Sequence, residues 1–378
     1  MAVSANIIVL GKPKLIKKQE EQNMLINRKD YSIELSEPTV YVDNQSRGRS
    51  GHMTHALAEF APGKFIDFNS NCSALRMGGH FPYGWVEYRI SEDSGKTYSD
   101  IKTLGYSYKS FIDGINSISI EKAVGCDGGT IVAFCLRNDA MKPEFCEPWA
   151  TPTFIRSCDA GESWSEPEEY SKYPGRTYDA VYHKGSIYVL HFCNPNFLGE
   201  TDEHKYRIYK SVDSGKTFVE HCTVAMDTKG RSYASMIFDE NDVLHVYAYN
   251  SLDEVNMDHI ISRDFGETWE TLKPSYVEKG IRNPQTAIVD GIFIAHGRSG
   301  DRGGFVLYSS VNGSDWDEGV FVEHKSFLAG AYYSNNLNLE DENGKFLLIQ
   351  YSSPYTTGPD PNSVGTVNVK HMRLTIKK

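Results

Sequence analysis

One octapeptide recurs along this chain and leaves few folds open to it. Ser91-Glu-Asp-Ser-Gly-Lys-Thr-Tyr98, Ser157-Cys-Asp-Ala-Gly-Glu-Ser-Trp164, Ser211-Val-Asp-Ser-Gly-Lys-Thr-Phe218 and Ser262-Arg-Asp-Phe-Gly-Glu-Thr-Trp269 share the pattern S-x-D-x-G-x-T/S-aromatic. Ser309-Ser-Val-Asn-Gly-Ser-Asp-Trp316 is a worn copy. Each position has a task in a tight hairpin. The Asp carboxylate accepts from the amides of its own turn, and Gly supplies a positive φ that a Cβ resists. The hydroxyls bond locally to backbone, and the closing aromatic buries a large apolar face. The copies start at 91, 157, 211, 262 and 309, hence 66, 54, 51 and 47 residues apart. That period suits one four-stranded blade of a β-propeller.

These octapeptides are Asp-box (BNR) repeats, and nearly the whole chain resembles the sialidase superfamily. The resemblance implies an all-β, six-bladed β-propeller of the sialidase type. The boxes lie on the outer part of each blade, so they are scaffold rather than site. Ahead of each box runs a segment with a polar or Arg-rich start, an apolar strand, a turn and a second apolar strand. It reads Gly175-Arg-Thr-Tyr-Asp-Ala-Val-Tyr-His-Lys-Gly185 in blade 3, Gly230 to Asp242 in blade 4 and Ile281 to Gly291 in blade 5. Blade 6 has Tyr332-Tyr-Ser-Asn-Asn-Leu-Asn-Leu, blade 1 Arg49-Ser-Gly-His-Met-Thr-His-Ala-Leu, and blade 2 a looser Asp113-Gly-Ile-Asn-Ser-Ile-Ser-Ile. Residues 31–43 alternate as a strand, expected to pair with the boxless sixth blade and close the ring. Residues 1–30 are expected to be a tail or an outer wrap, and 31–378 a single domain.

A net charge of −11 argues against a nucleic-acid surface. No stretch is long and apolar enough to span a membrane, and Ile7-Ile-Val-Leu10 makes a poor signal peptide. The expectation is therefore a cytoplasmic protein. Cysteines 72, 126, 135, 146, 158, 193 and 222 form no CxxC pair and read as reduced thiols. No cofactor motif is present, and His52 and His55 on a strand would point to opposite faces, which argues against a metal pair.

Because inner strands line a propeller's axis, their starts crowd one mouth of the ring. That brings Arg176, Arg231 and Arg282 to equivalent points. Arg49 falls about five residues early relative to its turn, so His52 or His55 is an alternative at its place. Between them fall Tyr178, Asp179, Tyr233, Asn283, Gln285, Tyr332, Tyr333 and Asn335. Converging guanidinium groups repel one another unless an anion joins them, and Arg suits bidentate capture of a carboxylate. A small acidic ligand is the expectation.

The sialidase resemblance sharpens this. It implies an arginine triad for the sugar carboxylate and a tyrosine nucleophile, which as a neutral phenol can approach an anionic substrate. Tyr333, in Leu328-Ala-Gly-Ala-Tyr-Tyr-Ser334, matches that tyrosine, and Arg298 or Arg302 resembles the third arginine. There are departures. Met53-Thr-His-Ala-Leu57 stands where the family has Arg-Ile-Pro, and Tyr233-Ala-Ser235 where it has a glutamate. The acid/base aspartate has no clear counterpart, although His80 lies about where it belongs. The expected activity is exo-hydrolysis of an acidic glycan or sialoside. Arg176, Arg231 and Arg282 (with Arg49 or Arg302) would grip the carboxylate. Tyr333 would be the nucleophile or a transition-state neighbour, Asp179 or His80 would carry the proton, and Tyr233 is a further catalytic candidate. Two alternatives stand: a polysaccharide lyase using His and Tyr on a uronate, and a non-catalytic carbohydrate-binding propeller.

Overall fold

Short apolar runs punctuated by Gly- and Asp-rich turns become strands almost throughout. The computed structural model describes residues 23–74, 83–139, 150–193, 203–299, 303–324, 331–356 and 366–378. The strands form six antiparallel sheets among the described residues. Blade 1 has an inner edge shared by Arg49–Ser50 and His55–Ala61, followed by Lys64–Ser73, Gly84–Ser91 and Lys102–Thr103. Blades 2 to 5 start from the inner strands Asn116–Gly125, Gly175–His183, Arg231–Phe238 and Arg282–Val289. Blade 6 runs from Ser334–Asp341 through Gly344–Pro354 to Val367–Lys377. Each inner strand contacts that of the next blade, and the sixth returns to the first, so the ring is closed.

Closure uses the N-terminal segment, but not as one strand. Ser32–Leu35 pairs with the last strand of blade 6 from Ser32↔Lys377 to Leu35↔Leu374. Thr39–Val42 then pairs further along that strand, with Val42 opposite Val369. Pro38 lies in the break between them, where its missing N–H costs no ladder bond. Met24–Asn27 folds back on Ser32–Leu35 as the outermost strand.

The repeated hairpins connect the third and fourth strands of blades 1 to 5. In the four good copies Ser Oγ donates to Asp Oδ1, and the same Oγ accepts from the Gly N–H. The Asp also takes the Thr/Ser N–H and hydroxyl four residues on. These bonds hold the Asp159 and Asp264 carboxyls down at about 2, and in Asp213 they outweigh the upward push of burial to the same effect. The closing aromatic then reaches the preceding blade. Trp164 packs on Phe68 and Tyr88 of blade 1, Phe218 on Phe134 and Phe154 of blade 2, and Trp316 on Tyr247 of blade 4. Each aromatic buries area of the order that stabilises by a few kcal/mol, so the repeat acts as an inter-blade staple. The described cysteines are all free thiols, and burial pushes Cys135 up to about 12.

Candidate active site

The inner strands do not alternate cleanly at the mouth. In blade 2, Ile120 pairs with Cys135 and Lys122 with Phe134, leaving Glu121 as an extra residue. In blade 3, Thr177 pairs with His191 and Asp179 with Leu190, leaving Tyr178. Pairing in blade 4 jumps from Arg231 to Ala234 across Tyr233, and in blade 5 from Arg282 to Gln285 across Asn283. In blade 1 it lapses between Ser50 and His55. A bulge bends the strand and re-aims side chains. Here the irregular positions Met53, Glu121, Tyr178, Tyr233 and Asn283 all line one axial cavity of about 50 Å³, joined by His55, Lys122, Arg176, Gln285 and Tyr333.

The three expected arginines do stand at equivalent strand starts, but each meets a protein carboxylate. Arg176 is buried and grips Glu121 Oε1 through Nε (2.7 Å) and Nη2, while Glu121 Oε2 accepts from Thr177 N at 2.9 Å. Burial pushes the Glu121 carboxyl up, and the guanidinium pulls it the other way. Arg231 Nε donates to Asp258 Oδ2 at 2.5 Å. Arg282 Nε donates to Tyr249 Oη at 3.0 Å and lies 3.3 Å from Glu254 Oε1. Of the three, only Arg176 lines the cavity. An arginine triad opening together onto a ligand carboxylate is therefore not what these residues form.

The polar chemistry at the mouth centres on two phenols. Tyr333 Oη lies 3.2 Å from Tyr233 Oη. The Arg298 guanidinium stands 5.3 Å over the Tyr333 ring, and that of Arg176 stands 5.3 Å over Tyr233 and 5.4 Å over Tyr178. Burial holds the Tyr233 hydroxyl well above the ordinary phenol range, so Tyr233 stays a donor. Around this pair sit buried polar atoms with no hydrogen-bond partner: Tyr178 Oη, Asn283 Oδ1 and Nδ2, and His55 Nε2. Each such atom costs about 1–3 kcal/mol, and natural folds carry few of them. Asn283 and Tyr332 add backbone strain at φ 52° and 64°.

Other expected residues fall elsewhere. Asp179 follows the extra residue of blade 3 and lines the opposite axial cavity, of about 390 Å³. Its carboxylate is fully engaged: it accepts from Ser235 Oγ at 2.7 Å and Met236 N at 2.8 Å, and lies 3.1 Å from Lys122 Nζ. It is not placed to carry a proton at the mouth. Tyr332 is buried and stacks toward Phe305 in the core between blades 5 and 6. Arg49 donates to Asn71 Oδ1 at 2.6 Å and lies 5.1 Å from the Trp85 ring centroid. His52 is buried in the lapse of blade 1, and His80 and Arg302 lie outside the described residues. Gln285 and Asn335 are both held by Lys122 Nζ, at 2.5 and 2.9 Å.

Two residues here carried no sequence signal. Lys122 is a buried ammonium tying the inner strands of blades 2, 3, 5 and 6 on the axis, between the two cavities. Glu121 neutralises Arg176. Both sit in a segment that alternates as an ordinary strand until Glu121 interrupts it. Among the described residues no group of three or more His, Cys, Asp or Glu side chains is arranged to hold a metal ion.

No family model and no curated protein matches the sequence. Solved structures match it by fold. A Dyadobacter fermentans protein of unknown function superposes with a TM-score of 0.69 at 15% identity, covering 91% of this chain and 99% of that one. A Hadza microbial sialidase gives 0.64 at 16% identity, over 90% and 68% of the two chains. The intramolecular trans-sialidase of Ruminococcus gnavus, in complex with oseltamivir carboxylate, gives 0.59 at 11% identity over 89% and 97%. At these identities the likeness is one of fold, and by that measure this chain is a six-bladed β-propeller of the sialidase type.

Proposed function

We infer that the axial mouth is a carbohydrate-active site and that its reaction is sialidase-like exo-hydrolysis of a carboxylate-bearing sugar. The observation that carries this reading is the Tyr233–Tyr333 phenol pair set between the guanidinium groups of Arg176 and Arg298. In this reading the Tyr333 oxygen bonds to the anomeric carbon as the glycosidic C–O bond breaks. The phenol's proton passes through water to the leaving oxygen. Water then attacks the same carbon, and the proton it loses returns to the Tyr333 oxygen as that C–O bond breaks. Tyr233, kept protonated by burial, donates to the Tyr333 oxygen as charge develops on it, and Arg298 supplies a fixed positive charge beside the ring. The bound sugar would also satisfy Tyr178 Oη and the Asn283 amide, so binding recovers a cost the empty cavity carries.

A second reading, glycan capture without cleavage, has one observation in its favour. The partner of Tyr333 is another phenol and not a carboxylate, and the carboxylate of the cavity, Glu121, is occupied by Arg176. A panel of fluorogenic sialosides, uronosides and uronate polymers separates the possibilities. Hydrolysis releases the acidic sugar, and Tyr333→Phe abolishes it without changing the melting temperature. Unchanged turnover in Tyr333→Phe would remove the tyrosine mechanism. An unsaturated product absorbing in the ultraviolet would show a lyase, and binding without product would show a lectin.

A further inference from the structure

The seam where blade 6 meets blade 1 carries a chain of buried polar side chains leading to the axial cavity. It begins at Tyr98, the closing aromatic of the first repeated hairpin and the only phenol among the four good copies. Tyr98 Oη lies 3.1 Å from His371 Nδ1, and His371 Nε2 lies 2.9 Å from Asp67 Oδ2. Gln350 Nε2 donates to Asp67 Oδ1, and Gln350 Oε1 lies 3.2 Å from His55 Nδ1. Asp67, Gln350 and His55 are all buried. His55 lines the axial cavity, and its Nε2 has no hydrogen-bond partner.

The donor and acceptor inventory of these groups fixes the protons. Burial pushes the Asp67 carboxyl up and the His371 ring pulls it back; as a carboxylate it accepts only, so it faces the NH₂ end of the Gln350 amide, whose nitrogen also lies 3.4 Å from His371 Nε2. The carbonyl end is then left for His55, and a carbonyl accepts only. The His55 proton therefore sits on Nδ1, and Nε2 is left with a lone pair. We propose that Asp67, acting through Gln350, holds His55 in the Nδ1–H tautomer, so that Nε2 receives a hydrogen bond from a hydroxyl of the sugar bound on the axis. Asp67 and Gln350 are positioning residues, and His55 is the group that touches the ligand. The role in sugar binding rests on the axial reading above, whereas the tautomer does not. Burial supports a neutral ring, since it pushes the imidazole down to about 4. The ring also has a hydrogen bond with the His52 backbone, His371 acts on it from the seam with Asp67 beyond Gln350, and across the cavity stand Glu121, Lys122, Arg176, Tyr178, Tyr233 and Tyr333.

The test is a ¹⁵N–¹H correlation spectrum of the twelve imidazoles at neutral pH, with the His55 signals assigned by their loss in His55→Gln. The expected result is an Nδ1–H ring with a bare Nε2. Gln350→Met removes the relay without changing side-chain volume much, and Asp67→Asn lets the Gln350 amide reverse. Both should move His55 toward the Nε2–H form. Gln350→Glu should hold the wild-type tautomer, because its protonated carboxyl can still donate to Asp67 and accept from His55. An Nε2–H or doubly protonated His55 in the wild type overturns the proposal whatever the variants do. So does a tautomer that stays put in folded Gln350→Met. These results need no substrate, so they stand apart from the outcome of any glycosidase assay. Titration with N-acetylneuraminic acid and glucuronic acid supplies the ligand arm. A shift of Nε2 on binding is expected, and saturable binding that leaves Nε2 unmoved contradicts the contact with sugar.

Discussion

The repeated hairpins and the axial mouth are made from the same strands but are opposites in physical terms. In the hairpins the Ser, Asp, Gly and Thr/Ser groups satisfy one another in nearly the same geometry four times over. At the mouth the blades contribute unlike side chains apart from the tyrosines Tyr178, Tyr233 and Tyr333, the ladder lapses in five of six, and buried polar atoms go without partners. Repetition with full satisfaction marks what holds the ring. Irregularity that costs stability marks what the ring is for, because such strain persists only where something else over-determines it.

Substitutions in the two regions should therefore fail in different currencies. The largest effect is expected from Tyr333→Phe: turnover of the acidic-sugar substrate falls by roughly 10³-fold or more, with thermal denaturation unchanged. A melting temperature that drops with the activity would make Tyr333 a structural residue and blur the contrast. Next comes Trp164→Ala in the second hairpin, which should cost about 3–5 kcal/mol in chemical denaturation. The Michaelis constant of the folded fraction should stay the same, and a changed constant would show that the staples shape the site.

Acid should act on the scaffold through buried imidazoles. Burial pushes His55 down to about 4 and His191, His259 and His296 to about 3, from an ordinary value of 6.5. Between those values the unfolded chain binds protons that the native chain refuses. The stabilisation these groups give is complete above the ordinary value and drains away as pH falls toward 4, by several kcal/mol in total. Denaturant midpoints measured from pH 7 to pH 4 check this, and a flat profile would contradict it. The smallest effect has the opposite sign. Asn283→Gly removes an unsatisfied amide and a positive-φ penalty, so it should stabilise by about 0.5–1 kcal/mol while weakening ligand binding. A variant less stable than wild type would mean that Asn283 belongs with the scaffold.

The contrast also explains what could be read in advance. The hairpins were legible because each is local: eight consecutive residues contain donor, acceptor, glycine and aromatic together. Strand starts at Gly175, Arg231 and Arg282 follow from the same spacing. What the arginines bind does not, since Glu121 is 55 residues from Arg176 and nothing near either one announces the other. Bulges were invisible for a related reason. Position along the strand carries Tyr178 and Asp179 together toward the mouth, yet in the folded chain the register shifts at Tyr178, and the two line opposite cavities. Lys122 reads as one polar position in a strand, and only closing the ring makes it the central ammonium.

The most direct measurement is the site of covalent capture. Incubating this protein with 2,3-difluorosialic acid and with a 2-fluorinated uronoside, followed by peptide mass mapping, asks which oxygen attacks. A single adduct on Tyr333, lost in Tyr333→Phe, is expected. An adduct on another side chain, or substrate turnover with no adduct formed by either reagent, would contradict the tyrosine mechanism.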